Sequence, residues 1–240
     1  MEKAPDITDI LFLDIETVSC HDKYQLMSDR LKIMWDKKAV LIHKEEDEDP
    51  EEFFFKKAGI YAEFGKIVTI AVGYLFKSDD VVSLKIKAFT SDDEKQLLLD
   101  FKELLENGFK SHNLFLCAHN GKEFDFPYIC RRMIYNGIPL PKVLDIGSKK
   151  PWEVKHLDTL EMWKFGDRKN YTSLELLATL FDIETSKDGI DGSMVNHIYY
   201  VEKDLQKIET YCKADVVVLA NLYLKLKCHT VVSKDRIFII

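Results

Sequence analysis

The chain has 240 residues, of which 46% are hydrophobic and 31% charged, with a formal net charge of −7. That apolar share, with 15 Phe, supports a packed core of one large or two small domains and excludes a disordered chain. Met1–Asp6 lacks the basic start of a signal peptide, and runs such as Ile10–Leu13 and Val216–Ala220 are too short to cross a bilayer, so a soluble, cytoplasmic protein is expected.

In chain order, Ile10–Leu13 reads as a buried strand with charges beginning at its C-terminal end. Tyr24–Lys38 reads as a helix and the acidic run after it as a solvated loop. Ile67–Phe76 and Val81–Phe89 are strands joined by a turn at Lys77–Asp80. Ser91-Asp92-Asp93-Glu94 has the form of a capping box, opening a helix to Asn107-Gly108. Leu114–Ala118 is a short strand, and a helix runs from Asp125-Phe126-Pro127 to Asn136-Gly137. A fifth strand is expected around Val154–Leu160, then a helix over Ser173–Phe181, a loop at Gly189–Gly192, and a closing helix over Val201–Lys227. This order implies an α/β fold with a mixed sheet. About fifty residues separate the first two strands, far beyond a hairpin loop, and read as an insertion.

Charge is unevenly spread. Glu45–Glu52 holds seven acids, equal to the whole excess, whereas Arg131–Lys169 has nine Lys and Arg against five Asp and Glu. Phosphate binding follows local potential, so the negative total does not exclude it. The five cysteines show no metal-binding spacing and read as reduced, small apolar residues.

Asp14 and Glu16, two apart on a strand, leave the same face of a sheet, and paired carboxylates suit hard divalent cations. Asp-x-Glu also occurs at 49/51, 92/94 and 182/184, in an acid run, a helix start and a polar loop. Only Asp14 and Glu16 end an apolar strand, where a metal would offset the burial of charge. Asp125 stands two residues before Pro127, which leaves it open between a helix cap and a ligand. In the last helix Leu205, Ile208, Cys212, Leu219, Leu222 and Leu226 form a stripe, and Asp215 fills a step of it with Tyr211 one turn earlier. A second Tyr-x-x-x-Asp, Tyr200 with Asp204, falls at the charged helix start.

These residues together resemble the DEDDy-type 3′–5′ exonucleases, in particular the stand-alone family similar to the proofreading domain of B-family DNA polymerases. Its three motifs correspond to Phe12-Leu13-Asp14-Ile15-Glu16-Thr17, to His119-Asn120 with Phe124-Asp125, and to Tyr211-Cys212-Lys213-Ala214-Asp215. Further similarity lies in Phe64–Ile70, Leu157-Asp158-Thr159 and Asp191-Gly192-Ser193. The resemblance omits the Tyr24–Phe55 insertion.

The resemblance implies an RNase H-like mixed five-stranded sheet flanked by helices. It implies a single exonuclease domain over residues 1–240, with a helical and acidic insertion at about 20–60. Two Mg²⁺ or Mn²⁺ ions would be held by Asp14, Glu16, Asp125 and Asp215. Asp14 would bridge both ions, Glu16 and Asp215 would complete the site of the attacking water, Asp125 would bind the second ion, and Tyr211 would orient the water. Thr17, Asn120 and Phe124 would line the terminal nucleotide. The implied substrate is the 3′ end of a nucleic acid, single-stranded DNA by preference, cut to 5′-mononucleotides. An RNA-trimming enzyme and an inactive nucleic-acid-binding module of the same fold stand as alternatives.

Asp158 reads as a maker of local hydrogen bonds or a substrate contact, and His119 as a packing or substrate residue. Arg131, Arg132, Lys149, Lys150, Lys155, Arg168 and Lys169 either track a strand's backbone or form a solvated surface. Phe53-Phe54-Phe55 beside Lys56-Lys57 either stacks bases or anchors the insertion.

Overall fold

A computed structural model describes residues 5–42, 50–78, 81–109, 114–167, 171–185 and 189–240. β1 (Ile10–Ser19), β2 (Gly65–Ser78) and β3 (Val81–Thr90) form an antiparallel meander. β4 (Phe115–Ala118) and β5 (Leu157–Asp158) extend it in parallel beyond β1, and β6 (Ile237–Ile239) pairs in parallel with β3. The order β5-β4-β1-β2-β3-β6 gives a six-stranded mixed sheet. The sequence pattern yields five; the sixth is a three-residue Ile-Phe-Ile segment, too short for a periodic signal. The strand expected over Val154–Leu160 keeps two residues, because the Asp158 carboxylate accepts from the Leu160 and Glu161 amides and starts a helix there.

The helices are α1 (Asp29–Ile42), α2 (Pro50–Lys57), α3 (Glu94–Asn107), α4 (Asp125–Tyr135), α5 (Thr159–Lys164), α6 (Leu174–Leu180), α7 (Val195–His197) and α8 (Leu205–Leu226). Leu11, Leu13 and Ile15 on one face of β1 pack under α3 and α4, with Leu98, Phe101, Phe126 and Ile129. Ile10 and Phe12 on the other face pack with Cys212, Val216, Leu219 and Tyr223 of α8. Each such fully buried side chain contributes about 1.5–3 kcal/mol. Gly73 permits the close approach of α8, since a Cβ there would lie 2.8 Å from Cγ1 of Val216.

Several boundaries differ from expectation. The residues at Tyr24–Leu26 form a separate 3₁₀ turn, and α1 continues to Ile42. The cap of α3 is Asp93, which accepts from the Gln96 amide, rather than Ser91. Glu94 does not reach back as a capping box requires, because it is buried in a bidentate pair with Arg132. Before α8 the chain makes a π-helical turn at Ile198–Glu202, and Asp204 then caps the helix through the Lys207 amide. Asp79 and Asp80 of the expected turn lie outside the described residues.

Trp35, Phe53 and Phe54 of the insertion form a small core with Phe64, which immediately precedes β2. The Phe triplet therefore anchors rather than stacks: Phe53 and Phe54 are buried, and Phe55 lies 6.3 Å from the Tyr200 ring. Glu51 and Glu52 of the acidic run open α2 instead of a loop, with acids at the positive end of the helix dipole. Residues 45–49 are outside the described set. All five cysteines are free. Among the described residues no helix is long and apolar enough to cross a membrane.

Candidate active site

β4 pairs with β1 only along Ile10–Phe12, while the antiparallel partner β2 continues to Ser19. Asp14 and Glu16 are thus in mid-strand, not at a strand end as the apolar pattern suggests. They sit just past the point where their parallel neighbour stops, facing the α8 side. The register slips between Glu16 and Thr17, leaving Val68 unpaired; such a bulge bends the strand and re-aims its side chains.

After Ala118, β4 turns sharply into α4. Asn120 takes a left-handed φ of 62°, and its amide and that of Lys122 donate to the Asp158 carboxylate at 3.0 and 3.1 Å. A Cβ on Gly121 would lie 2.3 Å from that of Ala118, so only glycine closes this turn. Asp125 is the first residue of α4. The helix cap is Phe124, with no side-chain cap bond, which removes the capping role for Asp125. Its carboxylate instead accepts from its own amide and that of Ile15, joining α4 to β1.

From α8, Cys212 and Val216 point into the sheet, so the buried stripe passes through Val216 rather than through position 215. Asp215 occupies the shoulder between that stripe and Val218 and Leu222, which pack toward α6. There it accepts a hydrogen bond from the Tyr211 hydroxyl.

Asp14, Glu16, Thr17, Asn120, Phe124, Asp125, Tyr211 and Asp215 line one cleft of about 400 Å³. A second lobe, of about 580 Å³, shares Asp14, Tyr211 and Asp215 and continues along Ser173, Glu175 and Asp191. Ligand atoms of Asp14, Glu16 and Cys212 lie within 4.8 Å of one another, with Asp125 and Asp215 outside that group. Burial, then the charges of Glu16, Asp125 and Asp215, raises the proton affinity of Asp14 well above the carboxylate range. Burial, then Asp215 and Asp125, does the same to Glu16. Burial pushes Asp125 up to about 7 and Asp215 to about 6, the latter against the Tyr211 hydrogen bond. Four carboxylates that repel one another at a half-buried opening, all hard oxygen donors, suit divalent cations.

Lys56 and Lys57, named in the sequence beside the Phe triplet, also reach this site, as do Tyr171 and Cys212, which were not among the sequence candidates for it. Tyr171 lines both lobes and packs edge-on against His119, but the residues around it carry no periodic signal. His119 bonds Thr159 Oγ1 and the Thr172 carbonyl through its two ring nitrogens, and burial holds it neutral. The other Asp-x-Glu pairs lie elsewhere. Glu184 pairs with Lys234, Asp92 accepts from Tyr199, and Glu51 is on α2. Of the basic candidates, Arg132 is buried against Glu94 and unavailable to a strand, and Arg131 and Lys149 line a separate groove. Arg168 and Lys169 lie outside the described residues.

The six-stranded mixed sheet with helices on both faces defines an RNase H-like α/β protein. Over residues 60–236 the chain belongs to a family described as predicted 3′–5′ exonucleases related to the exonuclease domain of PolB. That span holds Asn120, Phe124, Asp125, Tyr211 and Asp215; Asp14, Glu16 and Thr17 precede it. Among solved structures the chain is similar to the family B DNA polymerase from the hyperthermophilic archaeon Pyrobaculum calidifontis. The TM-score is 0.55 at 15% identity, over 91% of this chain and 24% of that one. No curated protein matches the chain.

Proposed function

We propose that this chain is a metal-dependent 3′–5′ exonuclease that trims single-stranded DNA to 5′-mononucleotides. The observation that carries the reading is the convergence of Asp14, Glu16, Asp125 and Asp215, from a strand and two helices, on one cleft. Burial, and after it their mutual repulsion, raises the proton affinities of Asp14 and Glu16, an arrangement that costs stability unless cations are taken up. These four side chains would hold two Mg²⁺ or Mn²⁺ ions, which when bound supply Lewis-acid stabilisation of the attacking and leaving oxygens.

Burial, with the charges of Asp215, Glu16 and Asp14, keeps the Tyr211 hydroxyl protonated far above its ordinary range. Tyr211 therefore acts as a donor that orients Asp215 and the attacking water, not as a base. Thr17, Asn120 and Phe124 bind the terminal nucleotide, and Asp158 positions Asn120 by fixing the turn that carries it.

The test is release of mononucleotides from labelled single-stranded and duplex DNA and RNA, with Mg²⁺, Mn²⁺ or EDTA. Asp14→Ala is expected to abolish metal-dependent release with an unchanged circular dichroism spectrum. Full activity in that variant would sink the site assignment, and faster trimming of RNA than of DNA would replace the substrate.

A further inference from the structure

We propose that Lys57, with Lys56 beside it, is the phosphate-holding element of this cleft, supplied by the insertion and taking the backbone of a single nucleic-acid strand. This rests on the exonuclease reading of the same cleft. The two lobes are lined by Asp14, Glu16, Asp125, Asp215, Glu175 and Asp191, and among the described lining residues the only cationic ones are Lys56 and Lys57. His119 adds no charge, being held neutral by burial.

Among the described residues, these lysines supply the balancing charge. Four carboxylates cancel two divalent ions, so an incoming phosphate meets no net attraction from the metal centre as a whole. Positive charge at the cleft wall supplies it. The Arg131 and Lys149 side chains cannot, since they line another groove, and Arg132 is buried in its pair with Glu94.

The lysines are held in register with the carboxylates. α2 is fixed beneath them by the fully buried Phe54, packed edge-on to Trp35 at 5.3 Å. Asn196 donates to the Phe55 carbonyl at 2.8 Å and accepts from the Ser19 amide at 2.8 Å, tying the end of α2 to the end of β1. The two lysines differ. Lys56 pairs with Glu52 at 2.7 Å, whereas Lys57, at the last position of α2, has no ion pair among the described residues. Lys57 therefore carries the larger share.

The experiment measures binding of a fluorescent single-stranded oligonucleotide by anisotropy, with Ca²⁺ in place of Mg²⁺ or Mn²⁺ to neutralise the carboxylates, and across a salt series. It uses wild type, Lys57→Gln, Lys56→Gln, the double Gln variant and the double Arg variant, each checked by thermal melting. The double Gln variant is expected to bind about tenfold more weakly, with a salt slope shallower by about 1.4, at about 0.7 per single-strand phosphate contact. Lys57→Gln should account for most of the loss, and the double Arg variant should restore the slope. An unchanged slope in the double Gln variant, or no binding by wild type, overturns the proposal. A reduced slope in a protein that releases no mononucleotide with Mg²⁺ or Mn²⁺ upholds the phosphate site and removes the exonuclease reading instead.

Discussion

The Cys212 thiol lies 3.4 Å from Oδ2 of Asp14 and 3.4 Å from its main-chain oxygen. Burial, then the charges of Asp14 and Glu16, holds that thiol protonated, so it donates to the carboxylate and partly counters the raised proton affinity of Asp14. Removing the donor in Cys212→Ala should weaken Mn²⁺ binding about 10- to 100-fold, the usual loss when a ligand's supporting hydrogen bond goes. Cys212→Ser keeps a donor and should stay near wild type. Cd²⁺, a softer ion, competes for the thiol's proton and should inhibit wild type more than Cys212→Ser. Mn²⁺ titrations at pH 7 read the first effect, and equal affinity of the Ala variant and wild type would assign the thiol to packing alone.

Without metal, stability should fall as pH rises. Asp215 and Asp125 bind their protons with values of about 6 and about 7 in the folded chain, above the ordinary 3.8. The folded state then holds protons that the unfolded state releases, so this stabilisation is complete below the ordinary carboxylate value and is lost through pH 6 and 7. The melting temperature in EDTA should drop by several degrees between pH 5 and 8. Mg²⁺ or Mn²⁺ should restore more at pH 8 than at pH 5, and Asp215→Asn should flatten the lower part of the curve. A melting temperature in EDTA that rises over this interval would contradict the carboxylate geometry.

Tyr211 couples to the same cluster through Asp215, to which its hydroxyl donates. Tyr211→Phe removes the donor and leaves the ring, so it should slow turnover about 10- to 100-fold with metal still bound. Single-turnover rates beside Mn²⁺ titrations separate the two effects. An unchanged rate would take Tyr211 out of the reaction.

The parts of the site that were legible in the sequence are those where chemistry breaks a pattern. Asp14 and Glu16 interrupt the apolar β1, and Asp215 stands in a helix otherwise spaced for burial. The placement was less legible than the identity. β1 does not end at Asp14, because strand length is set by β2, fifty residues away, and only the stop of β4 opens the edge there. Position 215 flanks the buried stripe instead of filling it, since Val216 supplies the missing contact. Cys212 reads as core from sequence and is core, yet the strand register also sets it against Asp14. Lys57 and Tyr171 are surface residues without periodicity, and only the packing of the insertion and the 171–175 segment brings them to the cleft. The sixth strand is invisible for a similar reason: three apolar residues become a strand because the β3 edge is there to pair with.

Arg132 reads from sequence as a surface cation and is in fact the buried partner of Glu94. Its Nε and Nη2 donate to that carboxylate at 2.8 and 2.6 Å, and its Nη1 donates to the Ala62 carbonyl at 2.9 Å. Arg132→Met leaves a buried carboxylate unpaired and should cost about 3–5 kcal/mol in urea unfolding. A double Glu94→Met, Arg132→Met variant should recover only part, because the Ile67 amide and the Asn136 side chain also donate to Glu94. The salt slope of oligonucleotide binding should not move in a folded Arg132 variant; a shallower slope would return Arg132 to the nucleic-acid surface.

Asp158 tests whether the turn after β4 must be held to place Asn120 and Asp125. Its carboxylate accepts four amides, those of Asn120, Lys122, Leu160 and Glu161, at 2.9–3.3 Å. Asp158→Asn replaces one acceptor oxygen with a donor, which must face at least one of those N–H groups. The stability cost should be about 1–3 kcal/mol, small enough for the chain to stay folded at 25 °C. The turn would shift, and a displacement near 1 Å in a reacting group costs about 100-fold in rate. Turnover should therefore fall about 100-fold while the folded fraction barely changes, read by single-turnover kinetics beside urea unfolding. A rate loss no larger than the loss of folded protein would mean that Asp158 only caps α5.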